Sequence, residues 1–442
     1  MNARARHIAL AFVACTLIAT AATSASALRH GVDQHAALRA EVDDDDDLLG
    51  IDLGERPSDR PTVQAAFRLE SYRPGDVARL AIFSTARGVS LQIFHTGTET
   101  KGVRGNDTMA GDAVTGLRRL GAVRPGREAK VRIGHWPSGF YFAQLVASDG
   151  RVGYAPFVLR PRRLGEHRVA IVFPTQTWQA YNTRDDDHDG KPDTWYGNWG
   201  HQTARLARPF QNRGTPRHYR SYEEPLLRWL IANNREVDYL SDRELKTVPD
   251  GATLARAYDL IIFEGHHEYV TTHEYDVVTD FRDRGGNLMF LAANDFFCRI
   301  DIRGDVMHRV GPWREAGRPE ASLIGVQYIG WNQMKYSPKP YILQAPESAT
   351  WVFEGTELHN GDHFSTGGIE IDARAAASPR GIKVLATIPN VFGPGKTAEM
   401  TYYETSKGAK VFAAGAFSLG AAVWHAQAQQ VVENLWTRLA QP

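Results

Sequence analysis

The sequence predicts an α/β protein in which a parallel, doubly wound sheet domain follows a small β-sandwich. Past Pro161, apolar strands alternate with amphipathic helices, and this alternation favours a parallel sheet covered by helices on both faces. Before Pro161, the apolar runs are short, and Gly, Pro and Asp turns separate them, as is typical of a β-sandwich of about a hundred residues. A chain of 442 residues with 43% hydrophobic residues can bury both cores.

The first residues have the pattern of a secretory signal. Two arginines precede the apolar run Ile8–Ala22, and Ala25-Ser26-Ala27 supplies a small-residue cleavage site. The run is too short for a stable membrane span. We therefore expect a signal peptide at 1–27, a secreted or periplasmic mature protein, and no membrane association after cleavage. Residues 28–60, which include the acidic run Asp43–Asp47, are predicted to be a disordered leader.

Charge and cysteine content exclude some classes of function. The formal net charge is zero, so nothing indicates nucleic acid or an anionic membrane as a partner. Cys15 would leave with the signal peptide, and Cys298 is then the sole thiol of the mature chain. A single thiol excludes an intrachain disulfide, and such a residue is more often a buried small hydrophobe than a nucleophile.

The apolar pattern places the sandwich at 61–163 and the α/β domain at 164–442. The predicted sandwich strands are Val63–Leu69, Val77–Phe83, Leu91–Phe94, Ala129–Ile133 and Gly139–Val146. The predicted α/β strands are Arg168–Phe173, Val237–Leu240, Asp259–Phe263, Asn287–Leu291, Lys383–Thr387 and Lys410–Ala414. Helices are predicted at Tyr222–Asn233 and at about His425–Leu439. The pattern is weaker between about 300 and 380, which indicates a loop-rich insertion.

Polar residues follow two neighbouring strands of the α/β domain. Gly265-His266-His267-Glu268-Tyr269 comes directly after one strand, and Asn294 follows the next. Parallel strands place reactive residues just beyond their carboxyl ends, where the loops converge on a crevice. Between the two strands, Thr271-Thr272-His273-Glu274 has the pattern of a capping box that opens a helix ending at Gly285-Gly286. We expect polar chemistry at both strand tips.

The acidic segment 185–193 matches the front of a calcium-binding loop. Asp185, Asp187 and Asp189 offer oxygen ligands at positions one, three and five, a glycine occupies position six, and Asp193 stands at position nine. Position twelve is Tyr196, so the bidentate glutamate of a complete loop is missing. We predict a structural calcium ion here, and the alternative is a solvated acidic turn.

Several motifs together resemble the large (beta) subunit of the N,N-dimethylformamidase family. They are Phe173-Pro174-Thr175, Trp178-Gln179-Ala180-Tyr181-Asn182, Gly265-His266-x-Glu268-Tyr269, Gly285-Gly286-Asn287 to Asn294, and Arg318-Pro319-Glu320. The similarity covers roughly Ser138 to the carboxyl terminus. The resemblance implies a class I glutamine amidotransferase-like (flavodoxin-like) fold and hydrolysis of the C–N bond of a small amide. A small companion subunit or a homo-oligomer is left open.

The resemblance also implies a mononuclear ferric iron held by two tyrosines and one glutamate. Carried over residue by residue, Glu268 is the carboxylate ligand, Tyr181 is one phenolate ligand, and Tyr141 is the other. Phenolates and carboxylates are hard anionic donors, which suit trivalent iron better than zinc. Such an ion polarises an amide carbonyl and lowers the pKa of a bound water.

Three further residues are assigned to catalysis by the resemblance. His266 could carry a proton to the leaving amine, since its ordinary pKa lies near the working range. Asn294 could donate to the developing oxyanion. A further acid is expected late in the chain, and Glu399 is the candidate, with Glu404 as the alternative. In one departure from the family pattern, His267 stands where an aspartate is expected.

Other classes of function have weaker support. A zinc hydrolase could use His266, His267 and His273, but their spacing is wrong for the paired histidines of a zinc-binding helix. A cysteine amidotransferase lacks the turn that its nucleophile needs around Cys298. A secreted, non-catalytic binding protein for carbohydrate or another polymer would need exposed aromatic platforms. The candidates for those are Trp136, Tyr141, Trp178, Trp195, Tyr196 and Trp199.

Overall fold

The computed structural model describes residues 60–196, 201–333 and 335–441. The predicted signal peptide, residues 28–59 of the predicted leader, and Trp199 lie outside the described residues. Within the described ranges, no helix combines the length and the apolar character that crossing a bilayer requires.

The first part of the described chain forms two β-sheets that share one hydrophobic core. Its strands are β1 (Ala65–Phe67), β2 (Ser71–Tyr72), β3 (Val77–Ile82), β4 (Ala86–His95), β5 (Asp112–Ala113), β6 (Arg118–Val123), β7 (Glu128–Arg132), β8 (Gly139–Ala147) and β9 (Val152–Leu159). One sheet has the order β1-β3-β7, and the other has the order β2-β9-β8-β4-β5 with β6 also paired to β4. Leu80, Leu91, Leu145 and Phe157 are among the residues buried between them.

The second part of the chain alternates strands with helices. Its strands are β10 (Val169–Phe173), β11 (Thr203–Arg205), β12 (Asp238–Ser241), β13 (Leu260–Phe263), β14 (Tyr269–Thr271), β15 (Asn287–Phe290), β16 (Cys298–Arg303), β17 (Val306–Pro312), β18 (Gln327–Trp331), β19 (Lys339–Leu343), β20 (His363–Gly367), β21 (Glu370–Ala373), β22 (Lys383–Ile388), β23 (Ala398–Glu404) and β24 (Lys410–Ala413). Its helices are α1 (Thr175–Ala180), α2 (Tyr219–Tyr222), α3 (Glu224–Ala232), α4 (Asp242–Thr247), α5 (Gly251–Ala257), α6 (Thr272–Asp283), α7 (Ala321–Ile324) and α8 (Ala426–Leu439). Three 3₁₀ helices occur at Trp313–Ala316, Glu347–Phe353 and Gly420–Trp424.

The central sheet has nine strands in the order β12-β10-β13-β15-β24-β23-β22-β19-β20. The first five strands are parallel. The last four are antiparallel, so the sheet is mixed and not the all-parallel sheet expected from the sequence. The parallel strands have the order 2-1-3-4-5, which reverses direction between β10 and β13. A crevice for ligands is expected outside the carboxyl ends of the strands at such a reversal. The assignment to a glutamine amidotransferase-like fold stays a prediction.

The segment predicted as a loop-rich insertion, about 300–380, contains several strands. β19 and β20 extend the central sheet, and β18 pairs with β21 in a two-stranded ribbon. β18 is only partly buried along its length, and irregular register interrupts the pairing of both β18 and β19. Short, half-exposed strands of this kind have little apolar periodicity, which explains why the sequence pattern did not reveal them.

Local capping explains where helix α6 begins. The Thr271 side chain accepts a hydrogen bond from the Glu274 backbone, and the Glu274 carboxylate accepts one from the Thr271 backbone. These contacts confirm the predicted capping box. The helix ends at Asp283, just before the predicted glycine pair.

The sandwich packs directly on the central sheet. Phe140 of β8 stacks on Phe173 of β10 with ring centroids 4.8 Å apart. The Ser71 hydroxyl donates to the Glu244 carboxylate at 2.6 Å. Because these contacts are buried, the sandwich fixes the strands and the helix that carry the candidate site.

Candidate functional site

The tips of β10 and β13 are tied together by one threonine. Thr177 lies in α1, directly after β10, and its hydroxyl oxygen accepts hydrogen bonds from the backbone nitrogens of Glu268 at 3.1 Å and Tyr269 at 3.4 Å. Gly265 has a φ of 71°, and a Cβ there would lie 2.3 Å from a carboxylate oxygen of Glu223. The turn after β13 therefore requires glycine, and it delivers the next residues to the crevice.

One tyrosine hydroxyl contacts a buried carboxylate, and a second tyrosine lies beside it. Tyr181, which follows α1, donates to Oε2 of Glu268. Burial and the nearby Glu268 carboxylate raise the pKa of the Tyr269 hydroxyl well above 10. The two phenol rings lie 6.0 Å apart, and Glu268 and Tyr269 are each only 2% exposed, whereas Tyr181 is partly exposed. Two phenols and one carboxylate therefore lie close together, and Tyr181 is the member that solvent reaches.

His266 borders these oxygens, and Glu370 and Asn294 contact its ring; we call this group the histidine cluster. Nε2 of His266 lies 3.5 Å from Oε2 of Glu268 and 3.2 Å from Oε2 of Glu370. The side-chain amide of Asn294 lies 3.3 Å from the same nitrogen. Asn294 has a φ of 59°, and its backbone nitrogen donates to Asp372 at 2.9 Å. The unusual backbone conformation is thus held by a hydrogen bond, as strained residues at functional sites often are.

Burial and neighbouring carboxylates set the protonation of this cluster. Burial opposes a charge on His266, but Glu370, Glu268 and Asp295 outweigh it and raise the pKa of His266 to about 9. Burial raises the pKa of Glu268 to about 7, and the charge on His266 opposes this shift. Burial and the Glu268 carboxylate raise the pKa of Tyr181 well above 10. A bound cation would reverse this balance for the phenols, since its own charge favours the anionic form.

Tyr141, the predicted second iron ligand, does not join the cluster. Its hydroxyl donates to the backbone oxygen of Pro137 at 2.8 Å. Its ring stacks on His95 and Phe157 inside the sandwich. The expectation that Tyr141 joins Tyr181 and Glu268 is therefore corrected, and Tyr269 is the second tyrosine near that carboxylate. Tyr269 directly follows Glu268 in the strand-tip motif, and that adjacency was the signal in the sequence.

Glu399 and Glu404, the predicted late acids, also lie elsewhere. Glu399 forms an ion pair with Arg374 at 2.9 Å, and although burial works against it, Arg374 lowers the pKa of Glu399. A carboxyl group held ionised in this way is a poor proton donor. Glu404 is exposed and accepts from Tyr402 at 2.6 Å. The acid beside His266 is Glu370, in the segment where the sequence indicated loops.

The acidic loop brings together three of its four predicted ligands. Oxygen atoms of Asp185, Asp187 and Asp193 lie within 4.8 Å of one another, and Asp189 is not part of this group. The Asp189 carboxylate instead accepts from the backbone nitrogen of Lys191 at 2.8 Å. In the ranges that the structure describes, this is the only group of three or more His, Cys, Asp or Glu residues whose ligand atoms cluster so closely.

The residues proposed for a zinc site, a cysteine nucleophile or a sugar platform are not arranged for those functions. His267 approaches Asp242 at 3.8 Å, whereas Nε2 of His273 contacts the backbone oxygen of Val248 at 2.7 Å, so the two do not join His266 in a zinc site. Cys298 is buried, and burial raises the pKa of its thiol to about 11. Of the aromatics proposed as sugar platforms, Tyr141, Trp178 and Trp195 are buried.

A cavity of about 240 Å³ lies between the sandwich and α1, away from the histidine cluster. Phe67, Phe157 and Trp178 are among its lining residues, together with Arg208 and Lys246. Both of these basic side chains already have partners, since Arg208 contacts Asp186 at 3.0 Å and Lys246 contacts Glu70 at 3.5 Å. His266, Glu268, Glu370 and Asn294 do not line this cavity.

Two N,N-dimethylformamidase beta subunits are similar in sequence to this chain. The N,N-dimethylformamidase beta subunit of Alcaligenes sp is 24% identical, over 65% of this chain and 50% of its own length. The beta subunit from Paracoccus aminophilus is also 24% identical, over 45% of this chain and 34% of its own. The chain thus spans about half the length of the curated relatives it matches, or less.

Similarity to solved structures is weak. Spo0M, a sporulation control protein from Bacillus subtilis, is 13% identical over 24% of this chain and 50% of its own, with a TM-score of 0.15. A cycloisomaltooligosaccharide glucanotransferase from Paenibacillus sp. is 9% identical over 52% of this chain and 45% of its own, with a TM-score of 0.18. Scores this low support no argument about fold or function.

The family match is extensive. The family model described as N,N-dimethylformamidase beta subunit-like, C-terminal, matches residues 127–426. This range includes β8 and β9 of the sandwich, nearly all of the α/β part and every residue of the histidine cluster. Because the match covers more than half of the chain, this protein belongs to the N,N-dimethylformamidase beta subunit-like family.

Proposed function

We propose that this protein hydrolyses the C–N bond of a small amide, using a mononuclear ferric iron bound by Tyr181, Tyr269 and Glu268. The observation that carries the proposal is the hydrogen bond from the Tyr181 hydroxyl to the buried Glu268 carboxylate, with the ring of Tyr269 6.0 Å from that of Tyr181. Two relatives named N,N-dimethylformamidase beta subunits support the reaction class.

The donor set fits iron on chemical grounds. Two phenols and a carboxylate supply hard, anionic oxygens, which match a hard trivalent cation. The site contains no thiolate, since Cys298 is protonated, and the histidine cluster borders the oxygens without replacing them. When bound, such an ion supplies a Lewis acid for the carbonyl and lowers the pKa of a water ligand.

His266 and Glu370 form the proton-transfer unit of the proposal. Nε2 of His266 lies between the Glu268 and Glu370 carboxylates, which favours the protonated ring. The ring packs against Tyr181 at 5.3 Å and Phe417 at 5.0 Å, so its orientation is fixed. A positioned imidazolium can protonate the amine as it leaves, and Glu370 can hold the ring in place for that transfer.

Asn294 is suited to stabilise the oxyanion. The amide nitrogen of Asn294 lies 3.3 Å from Nε2 of His266, so an N–H donor stands beside the proton-transfer unit. We propose that this amide N–H donates to the developing oxyanion of the substrate. In a site shielded from water, one such donor typically contributes about 10²–10³ in rate.

Tyrosine variants test the metal assignment. Phenolate bound to ferric iron gives an intense charge-transfer colour, so the native protein should carry near-stoichiometric iron and a visible band. Tyr181→Phe and Tyr269→Phe should each weaken or shift that band. Tyr141→Phe is the matched control, because Tyr141 lies in the sandwich core and should leave the spectrum unchanged. A colourless protein that contains only zinc, or a band that survives both site substitutions, would refute the assignment.

Two accompanying properties are proposed on narrower grounds. Export is proposed from the signal-like first 27 residues, and amino-terminal sequencing of secreted material should begin after Ala27 if it is right. Association with a companion subunit is proposed because the relatives are named beta subunits. Sedimentation of the purified chain alone would show whether it assembles with itself.

A further inference from the structure

An exposed tryptophan stands beside the proton-transfer unit. In the ribbon of β18 and β21, Trp331 pairs with Glu370, and Tyr328 pairs with Asp372. An irregularity between Tyr328 and Gly330 inserts one residue, so both aromatic residues keep opposite acidic partners. Directly opposed residues of an antiparallel pair project from the same face, with Cβ atoms about 4.5–5.5 Å apart. Trp331 and Tyr328 therefore lie on the face from which Glu370 reaches His266.

The carboxylates of the same group also act on the Tyr328 hydroxyl. Burial raises the pKa of the Tyr328 hydroxyl, and the carboxylates of Glu370, Glu268 and Asp372 raise it further. The ring of Tyr328 contacts Phe297 at 5.4 Å. Phe417 lies against His266 on another side, and its backbone nitrogen donates to Glu370 at 3.4 Å. Tyr328 and Phe417 thus place aromatic rings beside the carboxylates that surround His266.

The Trp331 side chain is exposed and forms no specific contact with another described residue. It is 47% exposed, and no hydrogen bond, ring contact or cation contact joins its side chain to another described residue. Trp424 is comparably exposed at 38%, but its indole nitrogen donates to Pro225 at 3.0 Å and Arg228 lies over its ring at 4.8 Å. An indole without partners at the rim of a polar site is available to a ligand.

We propose that Trp331 is the specificity platform of the site and stacks on a planar aromatic substituent of the amide substrate. This inference rests on the proposed amide hydrolysis. The preferred substrate class is then an aryl amide, whose carbonyl reaches the oxygen cluster while its ring stays on Trp331. Dialkylformamides have no planar ring to stack on the indole, so they should gain little from it.

Binding and turnover of two amides test this inference. Acetanilide carries the aromatic ring, and N,N-dimethylformamide lacks it. Trp331→Ala should weaken acetanilide binding by about three- to tenfold, the range expected for one aromatic stacking contact. The same change should leave the KM for N,N-dimethylformamide and the iron content unaltered. Trp331→Phe should restore most of the loss, and Trp424→Ala is the matched control with no expected effect on either amide.

Binding is measured by calorimetry on metal-free protein, and KM on iron-loaded protein, so the two hypotheses fail separately. If acetanilide binding depends on Trp331 while neither amide is hydrolysed, the platform stands and the proposed reaction falls. If both amides are hydrolysed and Trp331→Ala changes neither KM, the platform is refuted. A Trp331-dependent affinity for N-acetylglucosamine without one for acetanilide would identify a sugar platform and also overturn the proposal.

Discussion

Glu268 and His266 are two residues apart in the chain and have separable tasks. Glu268 accepts from the Tyr181 hydroxyl and lies beside Tyr269, whereas His266 faces Glu370 and Asn294. In the proposed function, the carboxylate binds the metal and the imidazole moves a proton. Their distance of 3.5 Å means that activity alone cannot distinguish the two tasks, and metal content must be measured beside it.

Glu268→Gln is expected to abolish both iron binding and amide hydrolysis, because a neutral amide is a poor ligand for a hard cation. His266→Ala should retain iron while hydrolysis falls by about 10²–10⁴-fold, the usual contribution of general acid–base catalysis. Metal analysis and turnover of both variants provide the comparison. Full iron occupancy in Glu268→Gln, or full activity in His266→Ala, would show that the roles are wrongly assigned.

Glu370→Gln tests the residue that the sequence did not indicate. Removing the charge beside Nε2 should lower hydrolysis by about tenfold or more, because the imidazole loses the partner that orients and charges it. Iron content should not change. Glu399→Gln is the matched control, since Glu399 pairs with Arg374 outside the cluster, and its activity should equal that of the native protein. Native activity in Glu370→Gln together with reduced activity in Glu399→Gln would instead identify Glu399 as the late acid.

Residues that lie next to strand tips could be predicted, and those brought in by tertiary pairing could not. Tyr181, His266, Glu268 and Asn294 all follow strands of the parallel sheet, and the structure brings them together. Glu370 reaches the cluster only through the ribbon of β18 and β21, and nothing local in the sequence marks that pairing. Tyr141 was carried over from a motif, and packing inside the sandwich decides its position.

At the scale of elements, the acidic loop is joined to the segment that carries Tyr181. The backbone nitrogen of Asp193 donates to the Arg184 backbone oxygen at 2.9 Å, which closes the loop at its base. The backbone nitrogen of Trp195 donates to Ala180 at 2.7 Å, at the end of α1. An ordered acidic loop therefore holds Ala180, the residue before Tyr181, in place.

Calcium is expected to raise the melting temperature by a few degrees, because a ligand that binds only the folded state stabilises it. Asp187→Asn should abolish the calcium effect, since Asp187 belongs to the converging group. Asp189→Asn is the control that should keep it, because Asp189 caps the Lys191 backbone instead. Thermal melts with calcium and with chelator measure both. Identical melts for the native protein would show a solvated turn.

Strands made mainly of apolar residues were predictable, and a buried strand that carries several polar residues was not. β10, β13 and β15 are fully buried runs whose observed bounds differ from the predicted ones by one residue at one end. β23 was not predicted, although it lies inside the central sheet beside β24. Most of β23 is buried, but Glu399, Thr401 and Glu404 interrupt its apolar residues. An uninterrupted apolar run gives a clear signal of a buried strand, and an interrupted run does not.

At the scale of the whole molecule, two buried carboxyl groups stand out behind the site. Glu223 and Glu264 are each 1% exposed. Neither oxygen of Glu264 has a hydrogen-bond partner among the described residues, and Glu223 accepts from the Trp178 indole at 3.1 Å. Burial raises the pKa of Glu223 to about 8, and burial together with Glu223 raises that of Glu264 well above 4.5. Burial therefore favours the neutral, protonated form of both groups in the folded protein.

This pair should make the protein less stable in alkali. In the unfolded chain both groups lose their protons near pH 4.5, whereas in the folded protein Glu223 retains its proton to about pH 8 and the pKa of Glu264 lies well above 4.5. A raised folded pKa gives a stabilising contribution that is present below pH 4.5 and is lost as the pH rises through the folded value. The free energy of unfolding should therefore fall between pH 5 and pH 9, by an amount on the order of a few kcal/mol.

Glu264→Gln carries no titratable proton, so its free energy of unfolding should fall less between pH 5 and pH 9 than that of the native protein. Glu354→Gln, at an exposed carboxylate, is the control that should reproduce the native pH dependence. Denaturant titrations at both pH values, on metal-free native, Glu264→Gln and Glu354→Gln protein, give the three differences needed. Equal slopes for Glu264→Gln and the native protein would mean that Glu264 is ionised in the folded state, and a buried cation or water would then have to compensate its charge.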